Sequence, residues 1–233
     1  MTAYEIIKEL QTLGNPAKAV HLSRFFKTGK GQYGEGDLFL GVTVPEQRAI
    51  AKKYRTVPFN VLQELLCNPY HEIRLTGLLI LVEQFTKNKD TDFRKNCVDF
   101  YLSQTNHINN WDLVDLSCYK LLGVWLNDKE RHLLYQLAAS GNMWEQRIAI
   151  VTCMHFVRQG DFKDCLAISE QLLHHQHDLL HKAVGWLLRE TGKKDRATLS
   201  CFLETHYRNM PRTMLRYAIE HFPAEERKKY LNK

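Results

Sequence analysis

One acid stands among cations in this chain. Arg74, Asp115, Arg147, Lys182 and Arg216 occupy matching places in five similar segments, each with small and apolar neighbours. Four cations in register suit the phosphates of a polyanion. A carboxylate in the same row works against phosphate, so Asp115 has another task. One is an internal ion pair, with Arg147 one segment away as the partner. The other is a charge aimed at a ligand. Tryptophans gather beside the row. Trp111 lies four residues before Asp115, so the two share a helix face. Trp144 lies three residues before Arg147, and Trp186 lies four after Lys182. A tryptophan on a helix ordinarily packs in a core. Three beside one charged row point to ring faces that stack on bases or sugars and attract cations.

These residues need elements to hold them in register. Apolar residues recur at three- and four-residue steps in a dozen segments, at 3–13, 46–55, 59–67, 70–86, 91–103, 110–126, 130–140, 143–158, 162–173, 177–191, 195–206 and 210–221. No segment alternates convincingly as a strand. None of the six prolines falls between residues 70 and 210, which leaves long helices uninterrupted there. The five register positions are separated by 41, 32, 35 and 34 residues. That period, with two helices per unit, predicts an all-α superhelical solenoid of HEAT-like repeats with a concave basic cleft. The 233 residues fit one such domain, 1–233.

Composition narrows the class. Lys plus Arg total 32 and Asp plus Glu 26, a formal charge of +6. All of that excess lies in residues 180–233, with 12 basic and 6 acidic residues. A local positive field suits a polyanion, although a solvated helix face would read the same way. No apolar run approaches the roughly 18 residues that cross a bilayer, and no secretory signal is expected at the N-terminus. The six cysteines never form C-x-x-C, so reduced thiols in a cytoplasmic protein are expected. The loop at 27–37 carries four of the twelve glycines but lacks the order of a phosphate-binding P-loop. The run His174-His175-Gln176-His177-Asp178 lacks H-E-x-x-H spacing and reads as a solvated turn.

The segments Asn109-Asn110-Trp111-Asp112-Leu113-Val114-Asp115, Trp144-Glu145-Gln146-Arg147-Ile148-Ala149 and Lys182-Ala183-Val184-Gly185-Trp186-Leu187-Leu188-Arg189-Glu190 occur in that order. Phe39-Leu40-Gly41-Val42 and Pro45-Glu46-Gln47-Arg48 precede them. Together they resemble the AlkD-like DNA alkylation repair proteins over roughly residues 15–220. The resemblance implies a superhelix of HEAT-like repeats. It also implies a DNA glycosylase for bases alkylated at ring nitrogens, such as 3-methyladenine and 7-methylguanine, in duplex DNA. Asp115 then matches the catalytic aspartate, Trp111 and Trp186 its aromatic partners, and Arg147 a nearby arginine. Arg189 is expected near the DNA, along with Lys182, Arg216, Arg74, Trp144 and Phe25. The reaction calls for no metal or other cofactor, and a monomer is expected.

Two departures from the family pattern stand out. Asn110-Trp111 replaces a Trp-Trp pair, and Arg24-Phe25 stands where a tyrosine follows arginine. A phenyl ring packs on a sugar but donates no hydroxyl hydrogen bond. Some relatives bind DNA without excising bases, so a non-catalytic DNA-binding protein on the same scaffold is the alternative. A protein-interaction solenoid with a basic groove is a third. Asp112 is expected to support or cap the helix that carries Asp115.

Overall fold

The computed structural model describes residues 1–232. The chain is all-helical, and among the described residues β-pairing is limited to a single bridge between Leu38 and Tyr70. It divides into two compact units, Met1–Ser117 and Cys118–Lys233.

The first unit holds α1 (Ala3–Thr12), α2 (Pro16–Phe25), α3 (Val44–Lys53), α4 (Phe59–Leu66), α5 (His71–Lys87), α6 (Thr91–Ser103) and α7 (Trp111–Asp115). Local chemistry fixes the starts. Thr2 with Glu5, and Thr43 with Glu46, form capping boxes, while Asn15 caps α2 ahead of Pro16. The centre is α5, packed by α1, α3, α4, α6 and α7. Fourteen of its 17 residues are buried, so it is enclosed on all sides instead of showing one apolar stripe. A Cβ at Gly77 would come within 3.2 Å of the Leu65 Cβ, which brings α4 close against it.

The second unit holds α8 (His132–Ala138), α9 (Met143–Thr152), α10 (Met154–Arg158), α11 (Lys163–Gln171), α12 (Asp178–Lys194), α13 (Arg196–His206), α14 (Arg212–Ala218) and α15 (Ala224–Leu231). Here α12 is central, against α9, α10, α11, α13 and α14. Arg131 clasps the edge. Its guanidinium lies 3.6 Å over the Phe156 ring and 2.6 Å from both Asp161 and Asp164.

Several elements differ from the sequence reading. The helix expected at 110–126 stops after Asp115, and a π-helical turn follows at Tyr119–Gly123. Ser117 lies between, and its hydroxyl bonds back to the Leu113 carbonyl at 2.5 Å, a contact that bends helices. Gly123 is required there because a Cβ would come within 2.5 Å of the His155 Cβ. The helix at 143–158 breaks at Cys153 into α9 and α10. Helices α2 and α15, which the apolar periodicity does not mark, carry no buried residues at all. Four of the six cysteines are buried among helices. No helix among the described residues is long and apolar enough to cross a membrane.

Candidate active site

The site forms in the first unit around α7. This helix has only five residues, too few to hold itself, so its surroundings must. Asn110, fully buried, caps it. Its Oδ1 accepts from the Trp111 N–H at 2.8 Å, and its Nδ2 donates to Asp37 Oδ2 at 3.2 Å. The amide therefore does what tryptophan could not, by tying α7 to the glycine-rich loop.

Asp37 anchors a buried charge cluster. Arg74 donates to Asp37 Oδ1 at 2.6 Å. His71, 2% exposed, faces Asp37 Oδ2 through Nδ1 at 3.4 Å and Asp112 Oδ2 through Nε2 at 2.9 Å. Burial alone would discharge the imidazole. The carboxylates of Asp112 and Asp37 outweigh it and raise the His71 pKa to about 9. Burial likewise opposes the Asp37 charge, but the His71 hydrogen bond and Arg74 hold its pKa below the ordinary value. Two anions and two cations balance, so the cluster is neutral overall.

Aromatic rings cover it. The His71 ring lies 4.7 Å from Phe26 and 4.9 Å from Phe39. Phe26 stacks on Phe39 at 5.2 Å and on Trp111 at 5.3 Å. The half-exposed Phe25 meets Trp111 edge-on at 6.0 Å. These rings line a cavity of about 790 Å³, largely apolar, and both Trp111 and Asp115 stand on its wall. Asp115 is half-buried.

Part of the wall comes from the segment before α3. Glu72 receives the backbone N–H groups of Leu40, Gly41 and Val42 at 3.0, 2.8 and 3.3 Å. Gly41 has φ +84°, and a Cβ there would lie 2.1 Å from the Asn15 carbonyl oxygen. The Phe39-Leu40-Gly41-Val42 motif is thus the backbone clasp of the cavity wall.

The remaining site candidates divide between the units. Arg74 needs correcting as a DNA contact. It is 5% exposed, and besides Asp37 it donates to the carbonyls of Asn68 and Pro69, so its charge is used inside. In the second unit, Arg147 needs the same correction, because it too is 5% exposed and donates inward, to the Leu179 carbonyl at 2.5 Å. Trp144 and Trp186 are half-buried. Lys182 pairs with Asp178 at 2.7 Å, and Arg189 pairs with Glu220. Arg216 is exposed, and with Arg189 and Arg227 it lines a polar groove. His177 caps α12 through Nδ1. Among the described residues no three His, Cys, Asp or Glu are grouped to hold a metal ion.

Asp37, His71, Glu72, Phe26 and Phe39 escaped the sequence reading as site residues. Asp37 closes the glycine loop, and its partners lie 34 and more residues away, beyond any local pattern. Asp112 does support α7, through His71, while the cap is Asn110.

Residues 6–222 match the family model described as DNA alkylation repair enzyme. The chain belongs to this family. A solved structure described as a predicted DNA alkylation repair enzyme from Enterococcus faecalis is similar, with a TM-score of 0.66. It shares 16% sequence identity, and the match covers 91% of this chain and 97% of that one. At that identity the likeness is one of fold. A comparison with curated proteins gives no match. The family match spans both compact units.

Proposed function

We propose that this member is a DNA glycosylase of the AlkD-like type. It would hydrolyse the N-glycosidic bond of cationic alkylated purines in duplex DNA, as the first step of base excision repair. The observation that carries the reading is the placing of Trp111 and Asp115 together on the wall of one aromatic cavity.

Alkylation at N3 of adenine or N7 of guanine gives the base a positive charge. When the glycosidic bond breaks, its electron pair leaves with the base, which becomes neutral. Positive charge builds on the deoxyribose instead. A carboxylate near C1′ stabilises that charge and orients a water whose oxygen bonds to C1′. The water's proton passes to the carboxylate or to solvent, and an abasic sugar remains. Asp115 takes this part. Trp111 adds cation–π attraction that strengthens as the sugar becomes cationic.

Trp186 takes the part of the second aromatic partner at the lesion. Lys182, Arg189, Arg216 and Trp144 are the proposed DNA contacts of the second unit, and Phe25 adds a ring from the first. Lys182 and Arg189 can exchange exposed carboxylates for phosphate, because exposed pairs hold only weakly. The repeat spacing supports a HEAT-like solenoid acting as one functional domain.

The test is release of free 3-methyladenine or 7-methylguanine from methylated duplex DNA. Wild type should release base, and Asp115→Asn should be slower by roughly a hundredfold or more. Methylated DNA left intact at enzyme excess, yet bound, would mark a non-catalytic DNA-binding protein.

A further inference from the structure

We infer that a second cavity, at the C-terminal end of α5, binds an unpaired nucleotide, either free or at a strand end. The inference does not rest on the glycosylase reading.

This cavity has a volume of about 700 Å³, within the roughly 300–1,000 Å³ of ordinary small-molecule sites. Its walls are the turn from α3 to α4, the last turns of α5 and the turn from α5 to α6. It is separate from the cavity at α7. Glu72 lines that one and Lys87 lines this one, at opposite ends of the same helix and so roughly 20 Å apart.

Interior contacts hold both turns in place. Gln84, 7% exposed, donates to the Val57 carbonyl at 2.6 Å and ties the first turn to α5. Arg94 donates to the carbonyls of Phe85 and Asn88 at 3.2 and 2.8 Å and fixes the second.

The lining joins charge to rings. Arg55, Lys87 and Lys89 line the cavity and are exposed, against one acid, Glu83. Among the described residues none of the three cations pairs with a carboxylate, whereas nearby Lys53 and Lys95 pair with Glu9 and Asp99. Even Glu83, one helical turn before Lys87, makes no ion pair with it. Phe59 and Phe93, both half-buried, complete the lining. Phe59 stacks on Phe93 at 5.9 Å and on Phe100 at 5.1 Å, so the three rings form a column that ends at Phe93 in the cavity lining.

Three unpaired cations alone would suit any phosphate. Rings beside them favour a phosphate that carries a flat base, because an aromatic side chain extends a stack. In a duplex the base faces are already covered by their neighbours, so the base must be unpaired. Its ring then continues the column at Phe93, and its phosphate meets Arg55, Lys87 and Lys89.

The experiment measures binding to the full chain by calorimetry. The probes are deoxyadenosine monophosphate, deoxyadenosine, inorganic phosphate, an acidic phenylalanine-containing peptide, a blunt duplex, and the same duplex with a short unpaired 5′-phosphorylated tail. Wild type should bind the nucleotide more tightly than the nucleoside or phosphate alone. Lys87→Glu should weaken nucleotide binding by about tenfold or more, and Phe93→Ala by about fivefold or more. Lys87 is exposed, so its replacement leaves the core intact; if Phe93→Ala fails to fold, Lys87→Glu and the nucleoside comparison still decide. A gain in affinity from the tail that Lys87→Glu removes identifies a strand end as the source. Nucleotide binding without such a gain identifies the free nucleotide. Three results overturn the proposal: equal binding of nucleotide and inorganic phosphate, wild-type affinity in Lys87→Glu, or tighter binding of the peptide than of the nucleotide. Absence of nucleotide binding at millimolar concentration, with no gain from the tail, overturns it as well.

Discussion

His71 holds together two carboxylates that would otherwise repel. Asp37 and Asp112 both face its ring. His71→Phe would keep the stacking with Phe26 and Phe39 but strand Asp112 in the interior and leave Asp37 with Arg74 as its one cation. Breaking a buried ionic arrangement by removing one partner costs about 3–5 kcal/mol. Thermal or urea unfolding should register a loss of that size, and a loss below about 1 kcal/mol would mean that the cluster does not hold the wall. The same residue sets a pH dependence. Its pKa is raised from 6.5 to about 9 on folding, so its contribution is complete below about 6.5 and is lost as pH rises through about 9. The full effect is on the order of 3 kcal/mol. Asp37 acts in the opposite sense. Its pKa is lowered from 3.8, so its contribution holds above that value and disappears as pH falls below it. Stability should therefore be greatest in mildly acidic solution and decline towards pH 9, a slope that His71→Phe should flatten. At this scale the sequence was partly legible. Asp115 and Trp111 stood out because their spacing is local. Asp37 and His71 did not, because their meaning lies in each other.

The short helix α7 depends on its cap more than a long helix would. Asn110 both caps it and donates to Asp37. Asn110→Asp separates these roles, since aspartate caps as well as asparagine but offers Asp37 a second anion in place of a donor. The variant should lose at least about 2 kcal/mol of stability and release base more slowly than wild type. Wild-type stability in Asn110→Asp would show that the cap alone matters. Helical periodicity located most elements because buried faces leave a 3.6-residue pattern. It missed α2 and α15, whose faces are not buried, and it ran α7 into the following turn. The Ser117 back-bond and the close approach at Gly123 are tertiary demands that a hydropathy pattern does not carry.

Across the whole molecule, the cations of the repeat register separate into those that serve structure and those open to a ligand. The register treated Arg74 and Arg216 alike. Burial tells them apart, because Arg74 is enclosed with Asp37 while Arg216 stands exposed. DNA affinity should fall with salt, the slope reporting the number of phosphates neutralised at about 0.9 each. Arg216→Ala should reduce that slope by about one and leave unfolding nearly unchanged. Arg74→Ala should do the reverse. It should leave the slope as it is and cost about 3–5 kcal/mol of stability, because Asp37 loses its cation. A charge-preserving Arg74→Lys would recover part of that loss only, since an ammonium cannot reach Asp37 and the carbonyls of Asn68 and Pro69 with the same fork of donors. If Arg74→Ala lowers the salt slope while the protein stays as stable as wild type, the row of cations is a phosphate track along its whole length, and the division made here by burial is wrong.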